Sequence, residues 1–173
     1  MSNPMRAVSV EKISLNIGTG GPGEKMEKAK KLLSAITGAH PVETKTKLRI
    51  PTWGVRPGLS LGCRVTLRRQ KACELLKRLL AAVSSKLKAS SFDNAGNVSF
   101  GIKEYLDIPG AKYDPDIGII GLEVAVTLQR PGFRIRRRMI SPRKIHKRHA
   151  IAKVEAEAFM KDQFKIEIIE DKK

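Results

Sequence analysis

KISLNIGTGGPGEKMEK, residues 12–28, is the stretch on which the fold turns. Gly18, Gly20 and Gly23 carry the G-x-G-x-x-G spacing, after a strand-like run and ahead of a helix-like one. In a dinucleotide-binding domain such a loop brings backbone N–H groups and a helix N-terminus against a pyrophosphate. The strand in front of it does not fit that reading. The first strand of such a domain is buried on both faces and reads as a near-continuous apolar run. Here Ile13, Leu15 and Ile17 alternate with Lys12, Ser14 and Asn16, as in a sheet with one face in the core and one open. The acidic residue expected about 20 positions on falls at Glu43, in the otherwise polar and basic run ETKTK, and no second nucleotide-binding half follows. The glycines therefore read as a strand-to-helix turn, either a plain one or one lying beside an RNA phosphate.

Upstream, Val8 and Val10 keep one phase while Ile13, Leu15 and Ile17 take the other, which predicts a bulge near Glu11 and Lys12. Downstream, GEKMEKAKKLLSAITG predicts a helix with Met26, Ala29, Leu33 and Ile36 inward and Gly38 closing it. HPVETKTK predicts a second strand. In GCRVTLRR, Cys63, Val65 and Leu67 point in while Arg64, Thr66 and Arg68 point out. KACELLKRLLAAVSSKLKAS reads as one long helix with Leu75, Leu76, Leu79, Leu80, Val83 and Leu87 on its apolar side. FDNAGNVSFGIKEY predicts a short strand between turns, and IGLEVAVTLQ a strand with Leu122, Val124, Val126 and Leu128 inward. A helix around 150–163 and a short strand in FKIEIIE close the chain.

The sum, five or six strands and three helices in mixed order, predicts an α+β fold. One mostly antiparallel, partly open sheet carries helices on one face and leaves the other open for RNA. Residues 1–173 form one domain, with a basic mobile loop at about 45–60 and a basic tract at about 130–149. Lys12, Ser14, Asn16, Arg64, Thr66 and Arg68 form a basic, hydrogen-bonding platform on the open face.

Charge points to the partner. Lys and Arg number 34 against 17 Asp and Glu, a net charge of +17. Self-repulsion of that size opposes compaction, so a polyanion is its natural reason. No apolar run approaches the roughly 20 residues of a spanning helix, the N-terminus has no signal-peptide core and neither end carries a lipidation motif. Nucleic acid is therefore favoured over a membrane surface. In RPGFRIRRRMISPRKIHKRHA no acidic residue interrupts the positive charge, and arginine forks suit phosphate. A run of that kind is either a solvated face or an RNA contact; its apolar spacers and lack of acidic neighbours favour RNA. The loop TKLRIPTWGVRPGLS holds the single tryptophan among basic residues. Trp53 either packs this loop on the body or stacks on a base or ribose at its tip.

Enzyme signals are weak. His40, His146 and His149 are scattered, and His146 and His149 lack a Cys or carboxylate near them in sequence, so no metal or cofactor is expected. Cys63 and Cys73 read as small core residues.

The strings NIGTG, ITGAHPVETKTK, GVRPG, LGCRVTLR, SFDNAGNVSFGIKEY and IPGAKYDPDIGIIGLEVAVTLQRPGFRIRRR, in that order, resemble the universal large-subunit ribosomal protein five family over about residues 5–165. IPGAKYDPDIGI and the RPGFR tract resemble its archaeal form. The resemblance implies a non-catalytic, cytoplasmic, ribosome-bound protein of the central protuberance. Its implied partners are 5S rRNA, large-subunit rRNA, P-site tRNA and neighbouring ribosomal proteins, including one in the small-subunit head. Asn16 and Thr66 correspond to family 5S contacts, and the rRNA-binding set is completed by Thr44, Arg134, Arg136, Arg137 and Arg138. The tRNA-facing loop corresponds to Lys45–Gly58 and offers Lys45, Lys47, Arg49, Trp53 and Arg56. One departure is Ala39, where the family usually has Gln, which removes a side-chain hydrogen-bonding group. An RNA-binding regulator of the same fold acting off the ribosome is the alternative.

Overall fold

The computed structural model describes residues 3–169. Strand β1 (Ser9–Gly18) runs at the centre of a five-stranded sheet. It is followed by α1 (Glu24–Thr37), β2 (Val42–Lys45), β3 (Ser60–Arg68), α2 (Arg69–Ala82), β4 (Lys86–Lys88), β5 (Val98–Ile102), β6 (Leu122–Gln129), α3 (Lys153–Phe164) and β7 (Glu167–Ile169). The large sheet has the order β2-β3-β1-β6-β5, and every neighbouring pair in it is antiparallel. Strands β4 and β7 pair in parallel as a separate ribbon. A dinucleotide-binding domain needs a parallel sheet with both faces covered, so the antiparallel neighbours of β1 dispose of that reading.

The alternation seen in sequence is the alternation of burial. Ile13, Leu15 and Ile17 of β1, Cys63, Val65 and Leu67 of β3, and Leu122, Val124, Val126 and Leu128 of β6 are all buried. Against them pack Met26, Ala29, Leu33 and Ile36 of α1 and Leu75, Leu76, Leu79 and Leu80 of α2. The phase switch in β1 is a bulge: the register with β6 shifts between Val10 and Lys12, leaving Glu11 unopposed and turned into the protein. Between β1 and α1, Gly20 and Gly23 stand at φ +74° and +132°, conformations a side chain resists. Gly38 caps α1 in the left-handed conformation, its N–H bonded to the Ser34 carbonyl.

The second helix is shorter than its apolar pattern predicts. It ends at Ala82, Ser84 and Ser85 take positive φ, and the chain turns back as β4. Leu87 is buried from this strand rather than from the helix, and Val83 is only half-buried. The last helix starts at Lys153, three residues later than expected. Of the final strand, Glu167–Ile169 is described and Glu170 lies outside the described residues. Among the described residues no helix is long and apolar enough to cross a membrane.

Candidate nucleic-acid interface

Antiparallel register lays the open face out in rows. Val42, Arg64, Asn16, Glu123 and Gly101 stand abreast across β2, β3, β1, β6 and β5. The next row is Thr66, Ser14, Ala125 and Ser99, and the one beyond it is Arg68, Lys12 and Thr127. On the other side of the first row come Thr44, Gly62 and Gly18. All seven platform and second-strand candidates (Lys12, Ser14, Asn16, Thr44, Arg64, Thr66 and Arg68) are therefore on one face. Ser14, Asn16, Ser99, Gly101, Glu123 and Ala125 bound a shallow depression in it.

Hydrogen bonds within this face orient its polar groups. Asn16 Nδ2 donates to Glu123 Oε2 at 3.2 Å. The hydroxyls of Ser14 and Thr66 lie 3.4 Å apart. Gly62 lets the sheet close here, since a Cβ would stand 2.6 Å from the Ile17 carbonyl oxygen and 3.1 Å from Thr44 Oγ1. On the helix side, Glu43 of β2 takes bonds from Lys30 of α1 and from Ser60 Oγ (2.7 Å), tying the edge strand down. The Lys30 bond, then the Ser60 bond, hold the Glu43 carboxyl below its ordinary range.

The loop after β2 is a hairpin. Ile50 and Val55 exchange backbone bonds at 3.0 and 3.1 Å around a 3-10 turn, Pro51–Trp53, and Gly54 completes that turn at φ +65°. Thr46 closes the base, its hydroxyl donating to the Arg56 carbonyl at 2.6 Å. Val55 is buried beneath, while Trp53 at the tip is 77% exposed. Of the two readings of Trp53, packing on the body is thereby excluded. Lys45, Lys47, Arg49 and Arg56 are exposed along the same hairpin.

The basic tract begins at a buried anchor. Arg130 is 5% exposed; its Nη2 lies 2.7 Å from Glu155 Oε1, and Nη1 reaches the His149 and Ala150 carbonyls at 3.4 Å. His149 Nε2 lies 2.9 Å from the Pro131 carbonyl oxygen, and its ring meets Phe133 edge-on. From this anchor Arg134, Arg136, Arg137 and Arg138 extend, all exposed. Arg137 bonds to buried Glu11 at the β1 bulge and to Gln129 Oε1, so it joins the tract to the sheet. The tract thus has acidic partners after all, Glu155 and Glu11, brought from distant parts of the chain. Among the described residues no group of three or more His, Cys, Asp or Glu side chains could hold a metal ion.

Comparison with known proteins matches this architecture to two family models. Residues 3–56 match the model described as ribosomal protein L5, and residues 60–162 match the model of the same ribosomal family's C-terminus. Relatives named large ribosomal subunit protein uL5 occur in Nanoarchaeum equitans and Sulfurisphaera tokodaii. The first is 50% identical over 98% of this chain and 100% of the relative. The second is 52% identical over 97% of this chain and 96% of the relative. A relative of the same name in Methanosphaera stadtmanae is 43% identical over 96% of this chain and 99% of its own length. The chain belongs to the ribosomal protein L5 family.

Ribosomal L5 proteins are structural, non-enzymatic constituents of the large subunit, and the sources of these three relatives are archaeal. In this L5 chain the two matched segments share one sheet, because β1 from the first pairs with β3 and β6 from the second. The sequence reading missed the β5 and β6 half of the open face: Glu123, Ala125, Thr127, Ser99 and Gly101. Alternation in IGLEVAVTLQ marks Glu123, Ala125 and Thr127 as outward. That β6 lies beside β1 was not readable locally. Ala39 is half-buried, and its N–H donates to Thr37 Oγ1 at 3.2 Å.

Proposed function

We propose that this L5 chain binds 5S rRNA through the open sheet face. The same reading has the basic tract meet large-subunit rRNA and the Trp53 hairpin reach the P-site tRNA. Neighbouring ribosomal proteins, one of them in the small-subunit head, complete its surroundings. The observation that carries the reading is the row order of the open face. Small hydroxyl-bearing side chains occupy the middle, Arg68 and Lys12 one flank, Arg64 and Asn16 the other.

Such a surface suits folded RNA. Lys and Arg neutralise phosphates and release counterions, while hydroxyls and amides hydrogen-bond to ribose or base edges and fix register. Selectivity comes from the RNA's shape and non-helical features, since A-form major grooves are closed to side chains. An exposed indole between cations is a stacking platform for an unpaired base or ribose.

The test is the affinity of platform and hairpin variants for 5S rRNA. A chain carrying Arg64→Ala and Arg68→Ala loses 5S affinity, and Trp53→Ala keeps it. Equal losses from both variants, or from neither, would remove the open face as the 5S site.

A further inference from the structure

Beyond the four arginines, the tract holds Met139 and Ile140, 94% and 78% exposed. Water does not favour two large apolar side chains side by side at a loop tip, yet the backbone is built to keep them there. Arg138 Nε donates to the Ser141 carbonyl at 2.8 Å, closing the turn beneath the pair. The Arg143 N–H donates to the Ile135 carbonyl at 3.1 Å, closing the wider loop. Ser141 sits at φ +49°, a conformation that costs a non-glycine residue and persists where the surroundings impose it. Arg134, Arg138 and Arg143 line the concave side of the same tip.

We propose that Met139 and Ile140 form an apolar wedge that enters an opened base step or minor groove of structured RNA, with Arg134, Arg138 and Arg143 clamping the flanking phosphates. Architectural nucleic-acid binders use Met, Ile and similar side chains this way, and the larger surface that the bent nucleic acid then wraps offsets the cost of unstacking. Charge selects RNA over a protein as the occupant. The chain has no acidic residue from 124 to 154, and three guanidinium groups surround the apolar pair. The wedge rests on the RNA-binding reading above and adds a contact that electrostatics alone does not supply.

The test uses the full chain with two probes, 5S rRNA and deproteinised large-subunit rRNA, across a salt titration. Met139→Ser with Ile140→Ser weakens binding to at least one probe by roughly a hundredfold or more, the scale of fully burying two large apolar side chains. The salt slope stays unchanged because no charge is lost. Leucine at both positions retains the affinity, which separates apolar insertion from loop damage, and thermal melts confirm that both variants fold. Wild-type binding by the serine variant on both probes would overturn the wedge alone and leave a protein as the tip's partner. A loss accompanied by a flatter slope would also overturn it, pointing to a displaced arginine clamp. A wild-type chain with affinity for neither RNA would overturn the wedge and the parent reading together.

Discussion

Asn16 Nδ2 donates to Glu123 Oε2 across the β1–β6 pair at 3.2 Å, on a face otherwise rich in cations. The carboxylate fixes which end of the amide faces its neighbour strand, and it sets a negative charge where phosphate would otherwise be drawn. Replacing Glu123 by Ala, which removes both the charge and the acceptor, therefore has two opposite effects. Affinity for unrelated RNA rises at low salt, because one repulsive charge is gone. Preference for 5S rRNA over that RNA falls, because Asn16 loses its orienting partner. Parallel titrations on the two RNAs check this, and equal gains on both would show that Glu123 does not orient Asn16.

Asn16 and Arg68 should fail differently. Asn16→Ala costs about 1–3 kcal/mol of 5S preference, the scale of a polar partner left unsatisfied. Arg68→Ala weakens binding to all RNA and flattens the salt slope by about one unit. Equal losses for Asn16→Ala on 5S and unrelated RNA, or an unchanged slope for Arg68→Ala, would remove the residue concerned from the assigned role.

Gly62 is where the open face is most sensitive to a single methyl group. Its added Cβ would meet the Ile17 carbonyl at 2.6 Å, a backbone atom within the β1–β3 pair. Gly62→Ala should destabilise the fold by about 1–3 kcal/mol, lowering Tm by roughly 2–4 °C per kcal/mol in a chain of this size. An unchanged melt would show that β3 can move away from β1 without loss.

Arg130 and Glu155 give the fold a pH dependence. The Ala152 N–H, at 3.1 Å, and then Arg130 hold the Glu155 carboxyl below its ordinary range. A carboxyl depressed in the folded state stabilises fully above its unfolded value, and that contribution is lost as pH falls through the folded one. Glu155 is 47% exposed, so solvent screens the pair. Glu155→Gln should cost about 1–2 kcal/mol at neutral pH. The difference from wild type, read from urea unfolding, should shrink as pH drops below the carboxylate range. A difference that stays constant with pH would contradict the assignment.

Periodicity made the sheet legible because each strand of the open face is half-buried. Lys12, Ser14, Asn16, Arg64, Thr66 and Arg68 could be placed on one side from β1 and β3 alone, and the bulge at Glu11 was visible as a change of phase. The end of α2 was not legible. Val83 and Leu87 continue the apolar spacing of the helix, and serine is no strong breaker, so only the positive φ of Ser84 and Ser85 reveals the turn. Pairings such as Arg137 with Glu11 and Asn16 with Glu123 join residues more than a hundred positions apart, and strand order decides them. Trp53 was ambiguous because an indole serves a core and a stacking site equally well; only its exposure separates the two.

The central claim is tested most directly by binding the full chain to 5S rRNA and to a tRNA-sized control RNA across a salt titration. The open-face account predicts a preference for 5S that persists at high salt, where phosphate attraction has been screened away. Equal binding to both RNAs, collapsing together as salt rises, would contradict it.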